Sequence, residues 1–171
     1  AILTEWDEWD GFVQRGYEAQ NVQNNVALDY WWRAWEIFQT IISQEKRKYS
    51  VSGLMEEQDY QYPVDEWLQD LEMELGNLGE HERLDFCHTV LNMLYWTFDD
   101  GSNFRAAIGE ELYTAGKPEE GETWFRNWLQ KEPHNENAWN VYSWCVQQHE
   151  GAEAAYRLIR KEVIGVPCTV W

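Results

Sequence analysis

Residues 81 to 88, HERLDFCH, place two imidazoles and a thiol within one short stretch, and those are zinc ligand types. His81 and His88 are seven residues apart, so they share a helix face. The close i, i+4 pairing of a helical metal site is missing, and Cys87 has a competing role in packing. No metal or other cofactor is therefore expected. HExxH, GxSxG and Gly-rich phosphate loops are absent. A carboxylate-bridged metal enzyme in a helical bundle is the alternative enzymatic reading. It needs Glu-x-x-His pairs facing inward, and no such pair occurs. The acids fall at spacings expected of solvated helical faces. DDGSN, residues 99–103, reads as a turn with Ser102 capping the next helix, too short for a calcium loop. The chain reads as non-enzymatic.

The other chemically suggestive passage is GETWFRNWLQKEPHNENAWNVYSWC, residues 121–145, with Trp124, Trp128, Trp139 and Trp144 among asparagines and acids. Four tryptophans in so short a passage suit a core, an aromatic binding wall or a base-stacking platform. The charge removes the last of these. Thirteen Lys and Arg stand against 31 Asp and Glu, a formal net charge of −18, and nucleic-acid binding relies on neutralising phosphates with cations. Anionic membrane surfaces are disfavoured for the same reason, and no apolar run approaches the length of a membrane span. Partners attracted by this charge are neutral to basic proteins or peptides. From Tyr49 to Glu82 ten acids stand with no Lys or Arg, a solvated face or a docking patch for a basic partner. Cys87, Cys145 and Cys168 are odd in number and widely spaced, which fits reduced thiols in a cytoplasmic protein.

The elements that must position these residues are helical. Trp6, Trp9, Val13 and Tyr17 recur at helical spacing behind a Thr4 cap. After the polar connection 21–25, Leu28, Trp31, Trp32, Trp35, Phe38 and Ile42 form a wide apolar stripe closed by Lys46, Arg47 and Lys48. Residues 49–63 lack a period and read as a loop. Pro63 opens a helix with Val64, Trp67, Leu68, Leu71, Leu75 and Leu78 on one face and Glu66, Asp70 and Glu74 on the other. Helices then follow over 81–97, 102–115, 118–131, 135–149 and 151–163, joined by short Gly-, Asn- or Pro-containing turns. No segment alternates as a strand would.

The C-terminal half repeats itself at a constant shift, the one that carries Ser102 onto Glu136. Ile108 falls on Tyr142, Leu112 on Val146, Gly121 on Ala155, Phe125 on Ile159 and Pro133 on Pro167. One shift upstream, Cys87 falls on Gly121, Leu91 on Phe125 and Leu78 on Leu112. Two helices of about 14 residues with their turns fill such a unit, small residues marking the close crossing and proline ending the second helix. With Ile108, Gly109, Leu112, Gly121, Phe125, Trp128 and Pro133 over 102–135, and Trp139, Tyr142, Val146, Ala155, Ile159 and Pro167 over 136–169, the chain resembles the tetratricopeptide repeat family. Residues 68–101 carry a weaker unit, with Asp99 where proline is expected.

The resemblance implies an all-α, right-handed stack of antiparallel helical hairpins, a TPR-like superhelix with extra N-terminal helices. Residues 1–62 would form Trp-rich helices and a loop against an array spanning 63–171. It implies packing roles for Trp124, Trp128 and Trp139, and a concave groove lined by the first helix of each unit. Carried onto this chain, the groove positions are Asn103, Glu110, Tyr113, Asn137, Asn140, Trp144 and Gln148. Amide side chains suit an extended peptide backbone, Tyr and Trp give flat apolar surface, and Glu110 attracts a cation. Family members that clamp a C-terminal carboxylate use Lys and Arg there, which these positions lack. The implied function is a scaffold or adaptor binding a neutral-to-basic peptide or protein segment, with an inert structural module as the alternative. The chain starts at Ala1 and stops at Trp171, where another helix is due, so a longer array is expected, with an apolar C-terminal end open to self-association.

Overall fold

A computed structural model describes residues 4–45, 48–57, 60–96 and 101–163, and these form nine helices and one pair of two-residue strands. The chain is all-helical in architecture. It divides into two compact units, Ala1–Phe104 and Arg105–Trp171. The division falls after Phe104, so residues 63–104 group with the N-terminal helices rather than with the repeats that follow.

In the first unit, α1 (Glu5–Gln20) and α2 (Asn24–Gln44) form a hairpin. Thr4 and Asp7 close a capping box: the Thr4 hydroxyl accepts from the Asp7 N–H at 3.1 Å, and the Asp7 carboxylate accepts from the Thr4 N–H at 3.0 Å. These bonds hold the Asp7 carboxyl below its usual range. The two helices meet closely where Gly16 leaves room for an indole. A Cβ there would lie 2.2 Å from the Trp31 ring, whose Nε1 donates to the Val13 carbonyl at 3.2 Å. Trp9, Phe38 and Trp67 pack edge to face, with Trp9 and Trp67 centroids 5.3 Å apart. Each such buried ring contributes roughly 4–6 kcal/mol of gross apolar burial as an upper bound.

Four expectations need correction here. Residues 49–63 are not all loop: β1 (Tyr49–Ser50) leads into α3 (Val51–Glu57), whose Val51 and Leu54 are buried. The helix expected over 81–97 is shorter, α5 (Arg83–Met93), because the chain then extends into β2 (Leu94–Tyr95). β1 and β2 run parallel, Tyr49 beside Leu94 and Ser50 beside Tyr95, so a strand pair exists where none was expected. It is too short to show alternation, and a long sequence separation hides the partner. The basic triplet does not end α2 within its last turn. That helix stops at Gln44, and Lys48 lies with its ammonium 4.6 Å from the Tyr95 ring centroid; Lys46 and Arg47 lie outside the described residues.

α4 (Val64–Leu78) follows Pro63 and buries Val64, Trp67, Leu68, Leu71 and Leu75. Gly79 ends it in the left-handed region (φ 67°), with the Glu80 N–H bonded back to the Leu75 carbonyl at 2.9 Å. Its acids do not form a uniformly solvated face. The Asp70 carboxylate accepts from the Tyr17 hydroxyl. Glu72 is buried against Arg83, which donates to it through Nε at 2.7 Å. Glu74 is buried as well, and only Glu66 of the expected acidic face is exposed. Helices from elsewhere in the unit fold over α4, which a charge count along the chain does not register.

The second unit contains the rest of α6 (Ser102–Thr114), then α7 (Pro118–Lys131), α8 (Glu136–Glu150) and α9 (Ala152–Val163). The helix starts keep the register of the sequence repeat: Ser102 of α6 corresponds to Glu136 of α8, and Pro118 of α7 to Ala152 of α9. The core of this unit gathers Ala106, Phe125, Trp128, Leu129, Ala138, Tyr142, Cys145, Val146 and Ala155. α6 and α7 cross where glycines face aromatic rings. A Cβ on Gly109 would lie 2.2 Å from Phe125 Cζ, and one on Gly121 would lie 2.6 Å from Tyr113 Cδ2. Phe125 in turn stacks on Tyr142 of α8, centroids 5.0 Å apart and planes within 7°. Pro167 and Cys168, part of the repeat alignment and thiol count, lie outside the described residues.

Candidate functional site

α8 begins behind Asn135, whose side chain accepts from the Ala138 N–H at 2.9 Å. Its inward face is Ala138, Tyr142, Cys145 and Val146. Its opposite face carries Asn140, Trp144 and Gln148, all exposed and spaced i, i+4, i+8, with Asn137 half-buried a turn earlier. Trp144 stands 48% exposed in the middle of that polar row.

The other tryptophans of this unit's described residues behave differently. Trp128 is buried and its Nε1 donates to the Glu132 carboxylate. Trp124 is half-buried against the core and donates to the Arg105 carbonyl at 2.8 Å. Trp139 was expected in the core; it is only partly buried, stacked beside Tyr142 with its Nε1 donating to the Pro133 carbonyl at 2.8 Å. It sits one turn from the N-terminus of α8, where the preceding bend leaves one edge open. Each of these three indole N–H groups has an acceptor. Trp144 alone, among the described tryptophans of this unit, is exposed, and it has no acceptor among the described residues.

α6 contributes Glu110 and Tyr113, both half-buried. Tyr113 lies over Gly121, with Phe125 at 6.4 Å on one side and His149 at 6.0 Å, edge to face, on another. Burial, and after it the neighbouring Tyr142, Glu122, Cys145 and Glu150, raise its hydroxyl well above the ordinary tyrosine range. Its ring is thus wedged into the junction of three helices. Glu110 acts on Cys145: burial first and this carboxylate second push the thiol up to about 12. Cys145 is therefore a neutral, buried thiol at neutral pH, with no nucleophilic character. The Cys145 and His149 neighbourhood escaped the sequence reading; their i, i+4 spacing on α8 was the available signal.

Asn103 belongs to the first unit, where its amide donates to Gln69 Oε1 at 2.7 Å. The histidine–cysteine stretch is not gathered into a site. Cys87 is fully buried beside Phe86 and Val90, while the His81 side chain is 90% exposed and meets Glu82 at 3.1 Å. Glu80, His81 and Glu82 do offer three ligand atoms close together. They are consecutive residues on a surface turn, an arrangement common without any ion. No family model, curated protein or solved structure matches the chain in comparison with known proteins.

Proposed function

We propose that this protein is a non-enzymatic interaction module of the tetratricopeptide type, and that α6 and α8 present one wall of a peptide-docking groove. Three features support the hairpin reading: the constant spacing of the helix starts, the glycine–aromatic crossing of α6 with α7, and the stacking of Phe125 on Tyr142. In this reading the groove residues are Glu110, Tyr113, Asn137, Asn140, Trp144 and Gln148.

One observation carries the docking role, namely the exposed Trp144, whose indole N–H has no acceptor among the described residues. A large amphipathic ring placed between Asn140 and Gln148 contributes apolar area and one donor to an incoming chain. The amides on either side can pair with a peptide backbone in both directions, since each offers a donor and an acceptor. Glu110 and the −18 net charge favour a neutral or basic segment.

A peptide display library selected on the wild-type protein, and counter-selected on a Trp144→Ala/Asn140→Ala variant, tests this reading. Enriched peptides should be neutral to basic. They should quench or shift Trp144 fluorescence, bind the double variant at least about tenfold more weakly, and weaken as salt rises. Enrichment of acidic peptides, or of peptides bound equally by the variant, overturns it.

A further inference from the structure

We propose that the outer face of α9 is a self-association surface, and that its occupant is α9 of a second copy lying antiparallel to it. The inner side of α9 is accounted for: Ala155 is buried, and Ala154 and Leu158 pack on the core of the second unit. The outer side is not. Ala152, Tyr156 and Ile159 follow at spacings of four and three, so they form one stripe. Tyr156 is 63% exposed and Ile159 37% exposed.

Ile159 occupies the place that Phe125 holds in the preceding repeat. Phe125 is fully buried because Tyr142, on the following helix, stacks over it. The same position on α9 is completed by an incoming helix.

Charge identifies that helix. Acids outnumber Lys and Arg 31 to 13 over the whole chain, so most surfaces of two copies repel each other. α9 departs from this: Arg157, Arg160 and Lys161 run from its middle into its last turn, against Glu153 near its start and Glu162 at its end. Glu153 and Arg160 are seven residues apart and so flank the apolar stripe on the same side. When two α9 helices run antiparallel with Tyr156 of each against the partner's Ile159, Glu153 of each lies opposite the partner's Arg160. A two-fold axis then produces the pair twice. Within one chain Glu153 reaches Arg157 only at 3.7 Å with both side chains well exposed, a weak contact that is readily exchanged.

This inference rests on the hairpin register of α6 to α9 and not on the groove. Sedimentation velocity on the full chain over a concentration series tests it. The wild type should show a monomer–dimer equilibrium. Ile159→Asp should raise the dissociation constant roughly hundredfold, since the side chain is lost from the contact twice. Glu153→Arg and Arg160→Glu should each raise it about tenfold, and combining them should restore it, because the pair is then only reversed. All these positions are exposed, and circular dichroism checks that the helices persist. A wild type that stays monomeric up to its solubility limit overturns the proposal, and so does residues 164–171 of the same chain protecting Tyr156. A dimer indifferent to Ile159→Asp, or a combined variant that fails to recover, also overturns it. Peptide binding by the Ile159→Asp protein reports separately on the groove, so failure of either idea is distinguishable from failure of the other.

Discussion

Replacing Gly109 by alanine should destabilise the second unit, although glycine is a poor helix former and the position is mid-helix. Ordinarily Gly→Ala in a helix interior gains about 0.5–1 kcal/mol, because alanine loses less backbone entropy. At Gly109 the new Cβ would stand 2.2, 2.4 and 2.9 Å from three Phe125 ring carbons. Ordinary carbon contacts begin near about 3.5 Å. The ring must therefore retreat by more than about 1 Å, or the two helices must separate. Phe125 cannot swing freely. It is fully buried, stacked on Tyr142 at 5.0 Å and near-parallel to Trp128 at 6.4 Å. Overpacking of this kind costs about 1–3 kcal/mol, and with the ring so confined the upper half of that range applies, which leaves a net loss of about 1–2.5 kcal/mol after the helical gain. Gly11 is the internal control: it also lies within a helix, and a Cβ there meets nothing within 4 Å. Gly11→Ala should stabilise by about 0.5–1 kcal/mol. Urea unfolding followed by both tryptophan fluorescence and far-ultraviolet circular dichroism gives the two differences. Should Gly109→Ala raise the midpoint as Gly11→Ala does, the close crossing of α6 and α7 is refuted, and with it the support the proposed hairpin stack draws from that crossing.

Arg83→Met removes the cation from the buried Glu72 carboxylate and should cost about 3–5 kcal/mol in urea unfolding; adding Glu72→Met should recover much of that loss. Tyr17→Phe deletes the hydroxyl that bonds Asp70 and should cost about 1–2 kcal/mol by the same measurement. Stability should fall as the solution is made alkaline. Cys145 titrates near 9 when unfolded and near 12 when folded, so its contribution is complete below pH 9 and is lost as pH rises from 9 toward 12. Tyr113 and Tyr17, both raised above 10, act in the same direction, and a urea midpoint at pH 10.5 no lower than at pH 8 would contradict this. Cys87 and Cys145 should resist a thiol-alkylating reagent at pH 8 until urea is added, as site-resolved mass spectrometry will show.

Helices were legible because their determinants are local. The Trp9–Val13 stripe, the Thr4 cap, the Pro63 and Pro118 starts and the Gly79 stop all act within a turn or two of the residues concerned. The row Asn140, Trp144 and Gln148 was named through the repeat register that the family resemblance supplied, and it lies exposed along one face of α8. What escaped depends on residues distant in the chain. The strand pair joins Tyr49 to Leu94, and nothing near either residue announces the other. Glu72 looked like one more solvated acid because its cation, Arg83, lies just beyond the stretch from Tyr49 to Glu82 that holds no Lys or Arg.

The sequence by itself determined that this chain is helical, strongly acidic and built around aromatic side chains, since period, charge and composition are properties of neighbouring residues. Only the tertiary structure decided which acids are buried, that Trp144 stands exposed while Trp128 is buried, and that Tyr113 is wedged over Gly121. Those outcomes depend on what folds against each side chain, and that is set by packing between helices rather than along them.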